Sequence, residues 1–179
     1  MRVWLLTTTT YGSWLPGDRR GSVTSVRDVR PGDEPGTVRI EHDAPGEPSE
    51  EPIPGLEASA RELMSGPPIY LSAEQAAVVL GQFRETAAYR GWVLYAVAIM
   101  HNHFHLVLEV PGDPDPGKVL ADLKAYGSRA LNRAFGRPRS GTWWTAKGST
   151  RKLPDDRAVI AATLYVLRKQ PNPLIVWEP

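Results

Sequence analysis

The residues that could do chemistry are crowded into one short stretch, Met100-His101-Asn102-His103-Phe104-His105-Leu106-Val107-Leu108-Glu109-Val110. Three of the four histidines of the chain fall within five residues of it. Neutral imidazole is a good ligand for a divalent cation and a base that titrates near neutral pH. If the stretch is a strand, alternate side chains share a face. Phe104, Leu106, Leu108 and Val110 then form an apolar face suited to a core, while His101, His103, His105, Val107 and Glu109 form the other. Histidines at i and i+2 on a rigid strand aim their nitrogens toward one point, as a bound cation requires. The bland alternative, surface histidines or core histidines with satisfied hydrogen bonds, suits a lone histidine better than three on one face. Two imidazoles do not choose the metal. They suit zinc, iron or copper, whereas magnesium and manganese want oxygen ligands as well.

Such a strand needs neighbours, and the flanking sequence supplies them. Arg2 to Tyr11 is rich in β-branched and aromatic residues and predicts a first strand, ended by Gly12 and Pro16-Gly17-Asp18. Prolines then recur from Pro31 to Pro68, so residues 18–70 read as a Pro-rich insert loop with a short helix around Leu56–Met64. Ser72 and Gln75 make a capping box for a helix that runs to Tyr89 and stops at Gly91. Trp92–Met100 and His103–Val110 predict an antiparallel hairpin turning near Met100–Asn102. Asp115-Pro116 opens a helix reaching Phe135. Residues 141–153 read as a strand or extended segment. Pro154-Asp155-Asp156 then starts a last helix through Lys169, closed by Pro171 and Pro173. This order predicts an α+β fold with an antiparallel sheet, in one domain spanning 1–179.

Composition narrows the class. A chain of 179 residues can bury a real core, and the absence of cysteine removes disulfides and thiolate metal sites. No apolar run approaches the ~20 residues that span a bilayer. The start, Met1-Arg2-Val3-Trp4-Leu5-Leu6, is interrupted by Thr7 to Thr10, so the chain reads as cytoplasmic and without a membrane partner. The net charge is only +1, but the charges are segregated. Glu41, Asp43, Glu47, Glu50, Glu51, Glu57 and Glu62 face a single Arg61, whereas the stretch from Lys118 to Arg157 is strongly basic. That basic half is either a polyanion-binding surface or a set of solvated helix faces.

Taken together, these motifs resemble a known family. Ala98-Ile99-Met100-His101-Asn102-His103-Phe104-His105-Leu106 is similar to the Met-Pro-Asn-His-hydrophobe-His-Leu signature of the small single-tyrosine HUH transposases, especially their REP-associated branch (repetitive extragenic palindrome). Thr9-Thr10-Tyr11-Gly12-Ser13-Trp14-Leu15-Pro16-Gly17-Asp18, Leu123-Lys124-Ala125-Tyr126 with Leu131-Asn132-Arg133, Gly141-Thr142-Trp143-Trp144 and Tyr165-Val166-Leu167 extend the likeness over most of the chain outside the insert. The resemblance implies a ferredoxin-like core and a metal-dependent single-strand DNA endonuclease or transposase. It implies a divalent ion, Mg²⁺ or Mn²⁺, on His103 and His105, and a helix-borne tyrosine that becomes a 5′-phosphotyrosine while a 3′-hydroxyl is released. Single-stranded or hairpin DNA is the implied partner, and relatives of this kind are monomers or homodimers.

Tyr165 matches the position of the nucleophile. The family places an amide ligand four residues after it, where this chain has Lys169; Gln170 follows and is the candidate third ligand. The family's proline before the asparagine is His101 here. Tyr126 is the rival nucleophile, with Arg129 and Arg133 one turn on. Lys124, Arg129, Arg133, Arg137, Lys147, Arg151, Lys152, Arg168 and Lys169 are candidate contacts to the DNA backbone. Trp143 and Trp144 are candidates to stack on unpaired bases, one of them belonging to the core. Two other functions fit the same residues: a catalytically inactive, domesticated DNA-binding module, and a histidine-strand metal hydrolase that activates water.

Overall fold

The structure, a computed structural model, describes residues 1–20 and 52–179. Most of the expected insert, including its acidic run from Glu41 to Glu51, lies outside the described residues. The described chain divides into two compact units, residues 1–13 with 65–179 and residues 14–64.

The larger unit is built on a sheet whose strands follow the expected periodicity. β1 (Arg2–Thr9), β2 (Val93–Ile99), β3 (His103–Val110), β4 (Ser149–Leu153) and β5 (Ile175–Trp177) form one antiparallel sheet in the order β4-β1-β3-β2-β5. The first four strands have the ferredoxin-like arrangement, with helical crossovers from β1 to β2 and from β3 to β4. β3 is therefore central, with β1 on one side and β2 on the other.

Three helices cover this sheet. α2 (Ala73–Arg90) opens on the Ser72 capping box, in which Gln75 N donates to Ser72 Oγ (3.2 Å) and Ser72 N donates to Gln75 Oε1 (2.9 Å). It stops at Gly91, whose φ of 66° favours a residue without Cβ. α3 (Pro116–Phe135) starts on Asp115, which accepts from Gly117 N (2.8 Å). α2 and α3 pack against one face of the sheet over a core that includes Phe83, Leu123, Leu131, Phe104, Leu106 and Leu108. α4 (Asp156–Arg168) packs on the other face over a smaller cluster containing Ala96, Ala98, Met100, Val107, Ala162 and Val166. Among the described residues no helix is long and apolar enough to cross a membrane.

Two details depart from the sequence reading. Trp143 and Trp144 are both buried in the α2/α3 core, so neither is left to stack on bases. Trp143 Nε1 donates to Asn132 Oδ1 (2.8 Å), and Trp144 meets the ring of Phe104 edge-on. β5 was not expected, because Pro171 and Pro173 mark a stop and three residues are too few to show a period. It is held by pairing with β2, with Leu174 N donating to Ile99 O (2.8 Å).

In the smaller unit the expected short helix is α1 (Pro54–Glu62), with Arg61 paired to Glu57 one turn back (2.6 Å). Ile53 N donates to Gly17 O (3.0 Å), so the turn at Gly17 is stitched to the helix start. The Arg20 guanidinium lies over the ring of Trp14 and against Asp18 (2.6 Å), holding the Asp18 carboxyl down to a pKa of about 2.

Candidate active site

On β3 the apolar side chains Phe104, Leu106 and Leu108 enter the α2/α3 core. Alternation therefore turns His103, His105, Val107 and Glu109 toward α4, and Val107 duly packs in the cluster under that helix. The two imidazoles stand 4.9 Å apart between ring centroids, nearly perpendicular at 82°. α4 approaches closely because the sheet positions beneath it on β2, Ala96 and Ala98, are small. Val166 anchors the helix in that cluster, and its neighbour Tyr165 is carried beside the site. The Tyr165 ring lies edge-on to His105, 5.5 Å between centroids at 70°, and remains 42% exposed. A side chain so exposed is open to an incoming substrate.

Both imidazoles are anchored through Nδ1. Asn102 Oδ1, an acceptor only, takes the Nδ1–H of His103 (2.7 Å), and Thr7 Oγ1 lies 2.6 Å from Nδ1 of His105. Asn102 is itself fixed, its backbone carbonyl accepting from Thr10 N (2.8 Å), Thr10 Oγ1 (3.1 Å) and Ser13 Oγ (3.1 Å). Thr7 is the residue paired with His105 across β1 and β3, and Ser149 of β4 is its partner on the far side. Occupation of Nδ1 is how metal-ligating histidines are commonly oriented to offer Nε2; Asn102 Oδ1 can only accept from His103, whereas the Thr7 hydroxyl can donate to or accept from His105. Burial, reinforced by the neighbouring His103, pushes the His105 imidazole down to a pKa of about 4, so it is neutral at pH 7.

This donor set fits a divalent ion: two adjacent imidazoles on one face of β3, each anchored through Nδ1. Among the described residues no cluster of three or more His, Cys, Asp or Glu side chains completes a cage. Further ligands would come from an amide, water or a substrate oxygen. Gln170 follows the end of α4, where its Nε2 donates to Tyr165 O (3.1 Å), while Lys169 is the exposed C-cap residue. Glu109 shares the face but stands four residues from His105, about 13 Å along the strand. It accepts instead from the Tyr95 hydroxyl, whose pKa is raised by that bond.

The other predicted residues are distributed over both faces. Tyr126, the rival nucleophile, is on α3 beneath the Arg129 guanidinium (4.8 Å), across the sheet from the histidines. Arg133 donates to Gln82 Oε1 (3.3 Å) and Arg137 to Gly141 O (3.3 Å) in the same layer. The Lys124 ammonium is engaged by three carbonyls, those of Thr145, Ala146 and Lys147, and burial lowers its pKa. It acts as a clamp on that turn, which carries Lys147. Arg151 pairs with Leu5 on the α4 side of β4, Lys152 pairs with Trp4 on the other, and Arg168 and Lys169 end α4 beside Tyr165. His101 leaves the strand pattern: it sits in the β2–β3 turn and its ring stacks on Tyr70. Thr7 and Tyr70 were not found from sequence. The Thr7-Thr8-Thr9-Thr10 run was visible, but which threonine faces a histidine depends on a cross-strand register that one sequence does not reveal.

Residues 70–149, which hold α2, the histidine hairpin and α3, match the family described as IS200-like transposase. No curated protein matches the chain. Among solved structures, one described as a REP-associated tyrosine transposase bound to a REP hairpin is similar over 94% of this chain, at 11% identity and a TM-score of 0.44. The match covers 66% of that structure's chain, just under two thirds of its length.

Proposed function

We propose that this chain, whose residues 70–149 match the family described as IS200-like transposase, is a metal-dependent tyrosine transposase of the REP-associated kind its motifs resemble, cutting and rejoining single-stranded or hairpin DNA. The observation that carries the reading is the convergence of His103, His105 and Tyr165 on one side of the sheet, two anchored imidazoles against an exposed phenol. His103 and His105 would hold the ion, with Gln170 the candidate third protein ligand. A Mg²⁺ or Mn²⁺ ion bound there supplies positive charge to the phosphate oxygens.

The chain's own residues do the rest. Tyr165 attacks phosphorus through its hydroxyl oxygen, giving up its proton, because a phenol is a weak nucleophile until deprotonated or assisted by charge. The bond from phosphorus to the 3′ oxygen breaks, that oxygen takes up a proton, and the 5′-phosphate stays esterified to Tyr165. The ester conserves the bond energy for a later attack by a 3′-hydroxyl, so the strand is rejoined without an external energy source. Arg151, Arg168 and Lys169, on the α4 side of the sheet, would hold the flanking phosphates.

The test is incubation with a single-stranded hairpin oligonucleotide and Mn²⁺. The intact chain is expected to form a denaturation-resistant adduct that Tyr165→Phe does not form; an adduct with the Phe variant would assign the nucleophile elsewhere. One observation favours a second reading. Lys169 stands where the family carries an amide ligand, which suits an inactive DNA-binding module. That module would bind the same oligonucleotide equally well in EDTA or with His103 and His105 replaced by alanine, and would give no adduct.

A further inference from the structure

We propose that Tyr70 and His101 form a stacking platform for an unpaired base of the DNA strand, beside the phosphate that Tyr165 attacks. The inference rests on the DNA-cleaving reading above. The two rings are stacked at 5.5 Å between centroids and 27° between planes, and both residues are exposed, Tyr70 by 56%. Core packing does not explain a pair that water reaches on this scale. Aromatic faces exposed next to a polyanion site are what unpaired bases stack on, with little regard to sequence.

The platform is rigid. Leu71 N donates to His101 O (2.6 Å), tying the two segments directly beneath the rings. The turn that carries His101 is closed by Met100 N donating to His103 O (2.8 Å) and by the contacts that pin the Asn102 carbonyl. Tyr70 precedes Leu71, which is buried, and Ser72, which caps α2. Rings held by fixed backbone lose little freedom when a base arrives. His101 is two residues before His103, on the order of 7 Å of chain. A base on the platform would therefore flank the phosphate held at the histidines.

Rival surfaces are worse placed. Trp143 and Trp144 are buried, and the exposed Tyr89 and Phe135 belong to helices on the other face of the sheet. The motif that the chain resembles has proline at the position where this chain has His101.

The experiment uses the full chain in EDTA with hairpin oligonucleotides carrying 2-aminopurine at successive positions of the single-stranded flank. Stacking on an aromatic ring should quench the probe at one or two adjacent positions. Tyr70→Ala and His101→Ala should each relieve that quench and weaken binding about tenfold, within the range for loss of one stacked base. Tyr70→Phe should keep both. If both alanine variants, folded by circular dichroism, bind and quench like the intact chain while Tyr165 still forms its adduct, the platform is wrong and the cleavage reading stands. If the intact chain binds none of the oligonucleotides, both readings fall.

Discussion

An imidazole can ligate through either ring nitrogen, and the one it offers depends on what the other is bonded to. Asn102 Oδ1 accepts from Nδ1 of His103, and the Thr7 hydroxyl holds Nδ1 of His105. Thr7→Val keeps the shape of the side chain and removes the hydroxyl, and it should weaken Mn²⁺ binding about 10- to 100-fold. Calorimetric titration measures this; an unchanged affinity would mean that packing alone orients His105. Burial of a neutral His105 also has a pH signature. The unfolded chain takes up a proton near the ordinary value of 6.5, which the folded chain accepts only at about 4. In metal-free protein, stability attributable to this group is therefore level above pH 6.5 and declines as pH falls toward 4, by roughly 3 kcal/mol in total. Urea midpoints of the intact chain and His105→Gln, compared between pH 7.5 and 4.5, should converge as pH falls; parallel curves would contradict the assignment. At this scale the histidines were legible, because strand alternation is a property of the sequence itself. Their anchors were not, because a side chain on another strand is assigned only by register.

At the scale of elements, the sequence contained most of what positions the site. The Ser72 capping box, the Asp115-Pro116 start and the Gly91 stop act through contacts within a few residues, and the helices begin and end where those signals stand. β5 shows the opposite case, since its stability comes from an edge of β2 far away in sequence. Two glycines separate local preference from tertiary fit. Gly81 is inside α2 with open space where a Cβ would go, so Gly81→Ala should stabilise the chain by about 0.5–1 kcal/mol. At Gly148 a Cβ would lie 2.5 Å from the Thr7 carbonyl oxygen and 2.6 Å from Leu120 Cδ2. Gly148→Ala should cost about 1–3 kcal/mol and loosen the β1–β4 pairing that backs Thr7. Thermal melts of the two variants should move in opposite directions; a shared direction would show that the close approach at Gly148 is not a constraint.

For the molecule as a whole, a net charge of +1 conceals a basic half, and the structure divides that half between two faces. Lys124, Arg133 and Arg137 are bound within their own layer, whereas Arg151, Arg168 and Lys169 lie on the side of Tyr165. Charge counting along the chain did not separate these groups, because the sheet lies between them. If the second group holds the strand, Arg151→Ala should lower the slope of log affinity against log salt by about 0.7, the contribution of one phosphate contact on a single strand. A slope that moves only with Arg133→Ala or Arg137→Ala would place the DNA on the other face. The central claim, however, concerns one covalent bond. After reaction with a hairpin oligonucleotide and Mn²⁺ and digestion by nuclease and protease, mass spectrometry should find a nucleotide remnant on the peptide that contains Tyr165. It should find none when EDTA is present. A remnant on the peptide that contains Tyr126, or cleaved DNA with no peptide modified, would contradict the account.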